Sequence, residues 1–188
     1  LAIVEDTRRR RETLVHQFHA DLRTLLTPQQ IETFQAGLDR ATVLAELPRG
    51  RVGGESVNLR TLLRDQGVDP ATHPERAAVV SNWTTTVADA LRARRDLLID
   101  QEIERVRTSM AREEAEEAPS GPIIMINGPF PLTPDLVERM QQDEAAARCD
   151  VRDVNLAAAT ELAATMPDDQ ARAFDAALRR VAFPDIYR

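Results

Sequence analysis

Apolar residues recur along this chain at helical spacing, and prolines and glycines punctuate the runs. Leu14, Val15, Phe18, Leu22, Leu25 and Leu26 fall on one stripe of a helix over 3–26. Ile31, Phe34, Leu38, Ala41 and Leu44 repeat the pattern over 28–47, which stops at Leu47-Pro-Arg-Gly50. Arg51-Val-Gly-Gly54 reads as a flexible loop, and Leu59, Leu62 and Leu63 mark a short helix that Gly67 ends. Val80, Trp83, Val87, Leu91, Leu98 and Ile103 then keep helical spacing over 72–115, with Thr72-His-Pro-Glu75 as the capping box. At ~1.5 Å per residue that helix is on the order of 65 Å long, more than one globular core can cover. It suits a spine, a dimer seam or one wall of a cradle. Leu136, Met140, Ala147, Val151, Val154 and Leu162 stripe a helix over 134–165, and a last helix covers 168–182.

Between the two longest helices the character changes. An acidic run at 113–117 leads into the linker Pro119-Ser-Gly-Pro122, and 122–131 reads as extended. Ile123, Ile124, Ile126 and Phe130 make that stretch apolar; it either packs across a helical groove or docks on a partner. Prolines 28, 48, 70, 119, 122, 129, 131, 134, 167 and 184 lie at the ends of these helices or in linkers, and Pro74 lies in a first turn. None breaks a helix interior, as the missing N–H of proline requires. The expectation is a single all-α domain: a helical hairpin over 1–47, a loop with a short helix over 48–71, a long helix over 72–115, a linker over 116–133, and a second hairpin with a tail over 134–188.

The two ends of the chain share a pattern. Adding 140 to Leu22, Leu26, Gln30, Phe34 and Leu38 gives Leu162, Met166, Gln170, Phe174 and Leu178, and Arg40 falls on Arg180. This reads as one helix–turn–helix unit present twice. In the first copy Thr27 caps with its hydroxyl, Pro28 takes the first helical position, and Gln30 reaches back to the Thr27 N–H. Leu26 and Ile31 flank the box as a hydrophobic staple. The second copy, Thr165-Met-Pro-Asp-Asp-Gln170, has Pro167 where Thr27 stood and Asp168 where Pro28 stood. Its cap must come from Thr165 or from the aspartates.

Composition narrows the partners more than the fold. Hydrophobic residues make up 43% of the 188 but aromatics only 4%, so the interior is aliphatic, which suits helix on helix. A net charge of −7 argues against generic nucleic-acid binding. All 24 basic residues are Arg, most simply a GC-rich coding bias. The single Cys149 excludes an internal disulfide framework, and no run is apolar enough to span a membrane. The chain begins at Leu1, as expected of a mature product, a fragment or part of something longer, and a removed signal peptide would leave no trace here.

Candidate chemistry is sparse. His16 and His19, with Glu12 one turn earlier, have the spacing to share a Zn or Cu ion, and the same spacing suits ordinary surface histidines. Arg8, Arg9, Arg10 and Arg11 can meet an acidic partner or form a solvated face. Cys149 has Arg148 beside it and Arg152 one turn on, which can lower a thiol pKa; the plainer reading is an inert thiol on an Ala-rich helix. No phosphate loop, nucleophile elbow or zinc signature is present, so the reading is against an enzyme, with no cofactor.

Leu26-Thr27-Pro28-Gln29-Gln30 matches the L-T-x-x-Q motif of the Spy and CpxP family of periplasmic helical proteins. That family carries two such motifs, and this chain resembles it if Met166-Pro167-Asp168-Asp169-Gln170 is the second. The resemblance covers about 17 residues twice, and the second copy lacks the Thr. It implies a periplasmic or secreted all-α protein, a homodimer, acting as an ATP-independent chaperone or stress-response adaptor on protein clients. The alternatives are a structural subunit of a larger assembly and a metal-responsive regulator using His16 and His19.

Overall fold

The structure is a computed structural model that describes residues 2–114 and 132–187. The protein is all-α. Its helices are α1 (Ala2–Leu25), α2 (Pro28–Glu46), α3 (Leu59–Asp65), α4 (Pro74–Glu114), α5 (Pro134–Ala164) and α6 (Asp168–Ala182). Two 3-10 turns, Leu47–Arg49 and Pro70–Thr72, complete the regular elements among the described residues. Proline sets several starts: Pro28, Pro74 and Pro134 are the first residues of α2, α4 and α5, where a missing N–H costs nothing. No described helix is long and apolar enough to cross a membrane. The apolar stretch over 122–131 lies outside the described residues.

The chain divides into two compact units. One comprises Leu1–Gln35 and Arg95–Glu144, the other Ala36–Arg94 and Ala145–Arg188. The second unit holds the main core. Val80, Trp83, Val87 and Leu91 come from α4, Leu59, Leu62 and Leu63 from α3, Val151 and Leu162 from α5, and Phe174 from α6. Trp83 is 2% exposed and Asn155 is fully buried. The Trp83 indole N–H donates to Asn155 Oδ1 at 2.8 Å, and Asn155 Nδ2 donates to the carbonyls of Gly54 (3.0 Å) and Glu55 (2.8 Å). One amide therefore satisfies three buried polar groups.

The turn over 50–57 is where the sequence reading needs correction. Arg51–Gly54, read from sequence as a flexible loop, forms a turn packed against the end of α6, with Gly54 buried. Gly54 has φ +84°, and its N–H donates to the Ala182 carbonyl at 2.9 Å. At Gly53 a Cβ would stand 2.7 Å from the Phe183 ring and 3.1 Å from the Ala182 carbonyl, so only glycine fits against the end of α6. The glycines that suggested freedom are there for close approach. Gly67 does end α3 as expected: it sits at φ +67°, and the Val68 N–H returns to the Leu63 carbonyl at 2.9 Å.

Two caps differ from expectation. Thr72 does not cap α4, because it belongs to the preceding 3-10 turn and donates its hydroxyl to the Asp69 carbonyl at 2.7 Å. At the second turn Pro167 occupies the N-cap with no side-chain hydrogen bond. The Thr165 hydroxyl turns back instead to the Leu162 carbonyl at 2.7 Å and closes α5. Arg76 reaches the same turn, its Nε on Thr165 Oγ1 at 3.3 Å and its Nη2 on the Thr165 carbonyl at 3.1 Å. Asp168 and Asp169 then face the positive end of α6.

The first unit is thinner. Leu132, Val137 and Met140 form a small cluster with Leu136 against it, and Gln101 Nε2 donates to the Met140 carbonyl at 2.8 Å. At the turn between α1 and α2 the Thr27 N–H donates to Gln30 Oε1 at 2.9 Å, and the Gln30 N–H donates to Thr27 Oγ1 at 3.4 Å. Phe18 and Phe34 meet edge to face across that turn, ring centroids 6.1 Å apart.

Thr27→Ala and Asn155→Ala separate a solvent-facing cap from a buried polar hub. Thr27→Ala is expected to cost about 1 kcal/mol. Asn155→Ala removes the partners of the buried Trp83 indole N–H and the Glu55 carbonyl and one of two donors to the Gly54 carbonyl, and is expected to cost about 3 kcal/mol. Urea unfolding of the two variants against the parent chain checks the ordering.

Candidate functional site

Helix α1 carries the surface most open to a partner. Its apolar stripe is only partly covered: Leu22 and Leu26 are half-buried, whereas Leu14 is 69%, Phe18 51% and Leu25 77% exposed. Val15 is also exposed. The equivalent positions of the second copy behave otherwise, since Leu162, Met166 and Phe174 are all buried. Both stretches have the same helical pattern. The difference lies in what packs on them: α5 and α6 close onto a core, and α1 has chiefly the edge contact of Phe18 with Phe34.

The charges beside the stripe are mostly engaged. Arg10 pairs with Asp6 at 2.7 Å, and Gln17 Nε2 donates to Asp21 Oδ1 at 2.9 Å. Arg9 is exposed, and its carbonyl accepts the Thr13 hydroxyl at 2.8 Å. The side chains of Arg8 and Arg11, and the whole of Ile123, Ile124, Ile126 and Phe130, lie outside the described residues. The arginine run therefore contributes at least one internal ion pair.

His16 and His19 lie on the neighbouring face of α1. With Ala20, Arg23 and Gln35 they line a groove of about 360 Å³. Among the described residues no three His, Cys, Asp or Glu side chains come together as a metal site, and the Glu12 side chain lies outside those residues. At the second turn, His73, Pro74, Glu75, Arg76 and Thr165 line a smaller hollow of about 200 Å³.

A third cluster, invisible in the sequence, lies inside the second unit. The Glu55 carboxylate is fully buried. Its Oε2 accepts the N–H groups of Arg51 (2.6 Å) and Val52 (3.1 Å); its Oε1 accepts Nη1 of Arg94 and, at 3.2 Å, Nη1 of Arg148. Arg94 Nη2 continues to the Glu46 carbonyl at 2.8 Å, and Arg148 Nη1 lies 3.4 Å from the Arg49 carbonyl. Burial alone would raise the Glu55 pKa. The two backbone N–H groups, the Arg94 hydrogen bond and the Arg148 charge outweigh it and hold the carboxyl below its ordinary value of 4.5. A carboxylate so fully occupied is a fastener and a poor general base.

A second buried acid follows the same logic. Asp39 is 1% exposed and accepts Arg92 Nη2 at 2.5 Å, while Arg92 Nη1 bonds Asp89 at 2.8 Å. Burial lowers the Arg92 pKa, but Asp39 and Asp89 raise it further, so the guanidinium stays charged. The arginines flanking half-buried Cys149 are likewise committed, Arg148 to Glu55 and Arg152 to Asp153 at 2.7 Å.

Comparison with family models, curated proteins and solved structures finds no match. The Spy and CpxP resemblance thus stands on the turn motif alone.

The Glu55 cluster makes stability depend on pH in one direction. Its folded-state pKa is depressed, so the unfolded chain takes up this proton first as pH falls. The contribution is fully present above about pH 4.5 and is lost as pH drops through the lower folded value. Glu55→Gln is expected to cost on the order of 3 kcal/mol at pH 7, because Arg94 and Arg148 lose the buried carboxylate they share. Its urea midpoint should also fall less steeply than the parent's between pH 5 and pH 3. Equal slopes would show that Glu55 does not carry the acid sensitivity.

Proposed function

We propose that this chain is a non-enzymatic, protein-binding helical protein. It holds partly unfolded client chains on the exposed stripe of α1, in the manner implied by the ATP-independent chaperones and stress adaptors that its turn motif resembles. The observation that carries the reading is the exposure of Leu14, Val15, Phe18 and Leu25 on one helix. Apolar side chains clustered along one face and rimmed by charge mark interaction surfaces more often than scattered ones do.

Magnitudes favour weak, reversible binding. Burying one such side chain contributes about 1.5–3 kcal/mol, so four contribute roughly 6–12 kcal/mol. Association costs about 4–15 kcal/mol in lost freedom. The difference suits a surface that samples many clients and fixes none, since apolar contact on an open helix face discriminates little between partners. The envelope location and the homodimer belong to the same reading and come from the motif resemblance.

The test is suppression of aggregation of a denatured client, without ATP, at near-stoichiometric ratio. The parent chain should suppress it. Leu14→Ser with Leu25→Ser should lose most of that effect while its urea midpoint stays within about 0.5 kcal/mol, because both side chains already face solvent. No suppression by the parent chain, together with co-purification of one fixed partner, would replace this reading with that of a structural subunit.

A further inference from the structure

The groove beside the apolar stripe points to a ligand of its own. We propose that His16, His19, Arg23 and Gln35 form a binding site for a phosphate-type oxyanion, independent of client binding on the stripe. The four side chains line one groove of about 360 Å³, with Ala20 as its small floor residue. On α1 the two imidazoles and the guanidinium follow one another at helical spacing, at positions i, i+3 and i+7, and Gln35 adds a carboxamide from α2. Among the described residues no carboxylate lines the groove.

Arg10, Arg64, Arg95, Arg152 and Arg179 each pair with an acid close by in sequence. Arg23 makes no hydrogen bond or ion pair with any described residue, nor does either histidine; His19 touches only the edge of the Phe18 ring. Three potential donors are thus free to face one small volume, and a tetrahedral oxyanion can accept from all of them.

A metal ion fits the same groove poorly. Two imidazoles at i and i+3 supply only half of a tetrahedral shell, no third ligand is present among the described residues, and Arg23 repels a cation. The C-terminal end of α1 carries its own partial negative charge, but that is felt within the last turn, which contains Arg23 and neither histidine. A carboxylate beside the groove would compete with the oxyanion for these donors. The acids that bear on this are few. Asp21 is engaged by Gln17; Glu32, one turn before Gln35, does not line the groove; and the Glu12 side chain lies outside the described residues.

The experiment is a titration of the full chain with inorganic phosphate, read from the His16 and His19 ring resonances in NMR at pH 5.5 and pH 7.5. Zn²⁺ and acetate are titrated in parallel. The expected result is saturable phosphate binding with a Kd on the order of 1 mM. Acetate should bind more weakly than phosphate, and Arg23→Gln should weaken phosphate about tenfold with an unchanged urea midpoint. A phosphate titration that does not saturate, or that Arg23→Gln leaves unchanged, overturns the proposal. So does Zn²⁺ binding that broadens both histidines while phosphate moves neither.

Discussion

A single carboxylate sets the terms for the larger unit of this protein. Glu55 is withdrawn completely from water, and leaving it there unpaired would cost several kcal/mol. Two backbone N–H groups from its own turn and guanidinium groups from α4 and α5 replace the lost hydration. Each of those donors is tied to a different part of the chain. The negative charge therefore fixes where the 51–55 turn, Arg94 and Arg148 sit relative to one another. Asn155 fixes the same turn from the other side by binding the Gly54 and Glu55 carbonyls, and it ties the turn to Trp83. The hydrophobic cluster supplies most of the driving force, but apart from Trp83 and Phe174 its buried members are aliphatic and tolerant in shape. The polar contacts select one arrangement of it.

Helical spacing carried the fold class and most element boundaries. Proline and glycine placed the ends of α2, α3, α4 and α5 to within a few residues, because the reasons they stop or start a helix are local. What pattern alone did not carry was the meaning of the turn over 50–57. A Gly-Gly pair looks the same whether it confers freedom or permits contact. Only the ring of Phe183, some 130 residues later, separates the two readings. Glu55, Arg94 and Arg148 were unreadable for a related reason: in a chain with 31 acidic and 24 basic residues, nothing local marks the few that turn inward. At Thr72 the local signal misled, because a 3-10 turn in front of α4 claimed the hydroxyl first.

The two copies of the turn pattern show what periodicity can and cannot say. Leu22 and Leu162 occupy equivalent places on equivalent helices, yet one is half-buried and the other fully enclosed. Spacing determines which side chains share a face. It leaves open whether anything covers that face. The second copy meets α4 and the 50–57 turn, whereas the first keeps Leu14 and Leu25 in solvent. An apolar face with so little cover is the observation on which the proposed client binding by α1 rests.

The contact of Gly53 and Gly54 with Ala182 and Phe183 bears on how the molecule is made. The residues that seal their turn follow them by some 130 positions and are synthesised well after them. Until then the buried acid and its arginines have no closed interior to occupy, and the nascent chain must remain open at its centre. Such distant closure is slow compared with helix formation. Sealing of this core is thus a long-range event, set by chain topology and not by the local signals that start each helix.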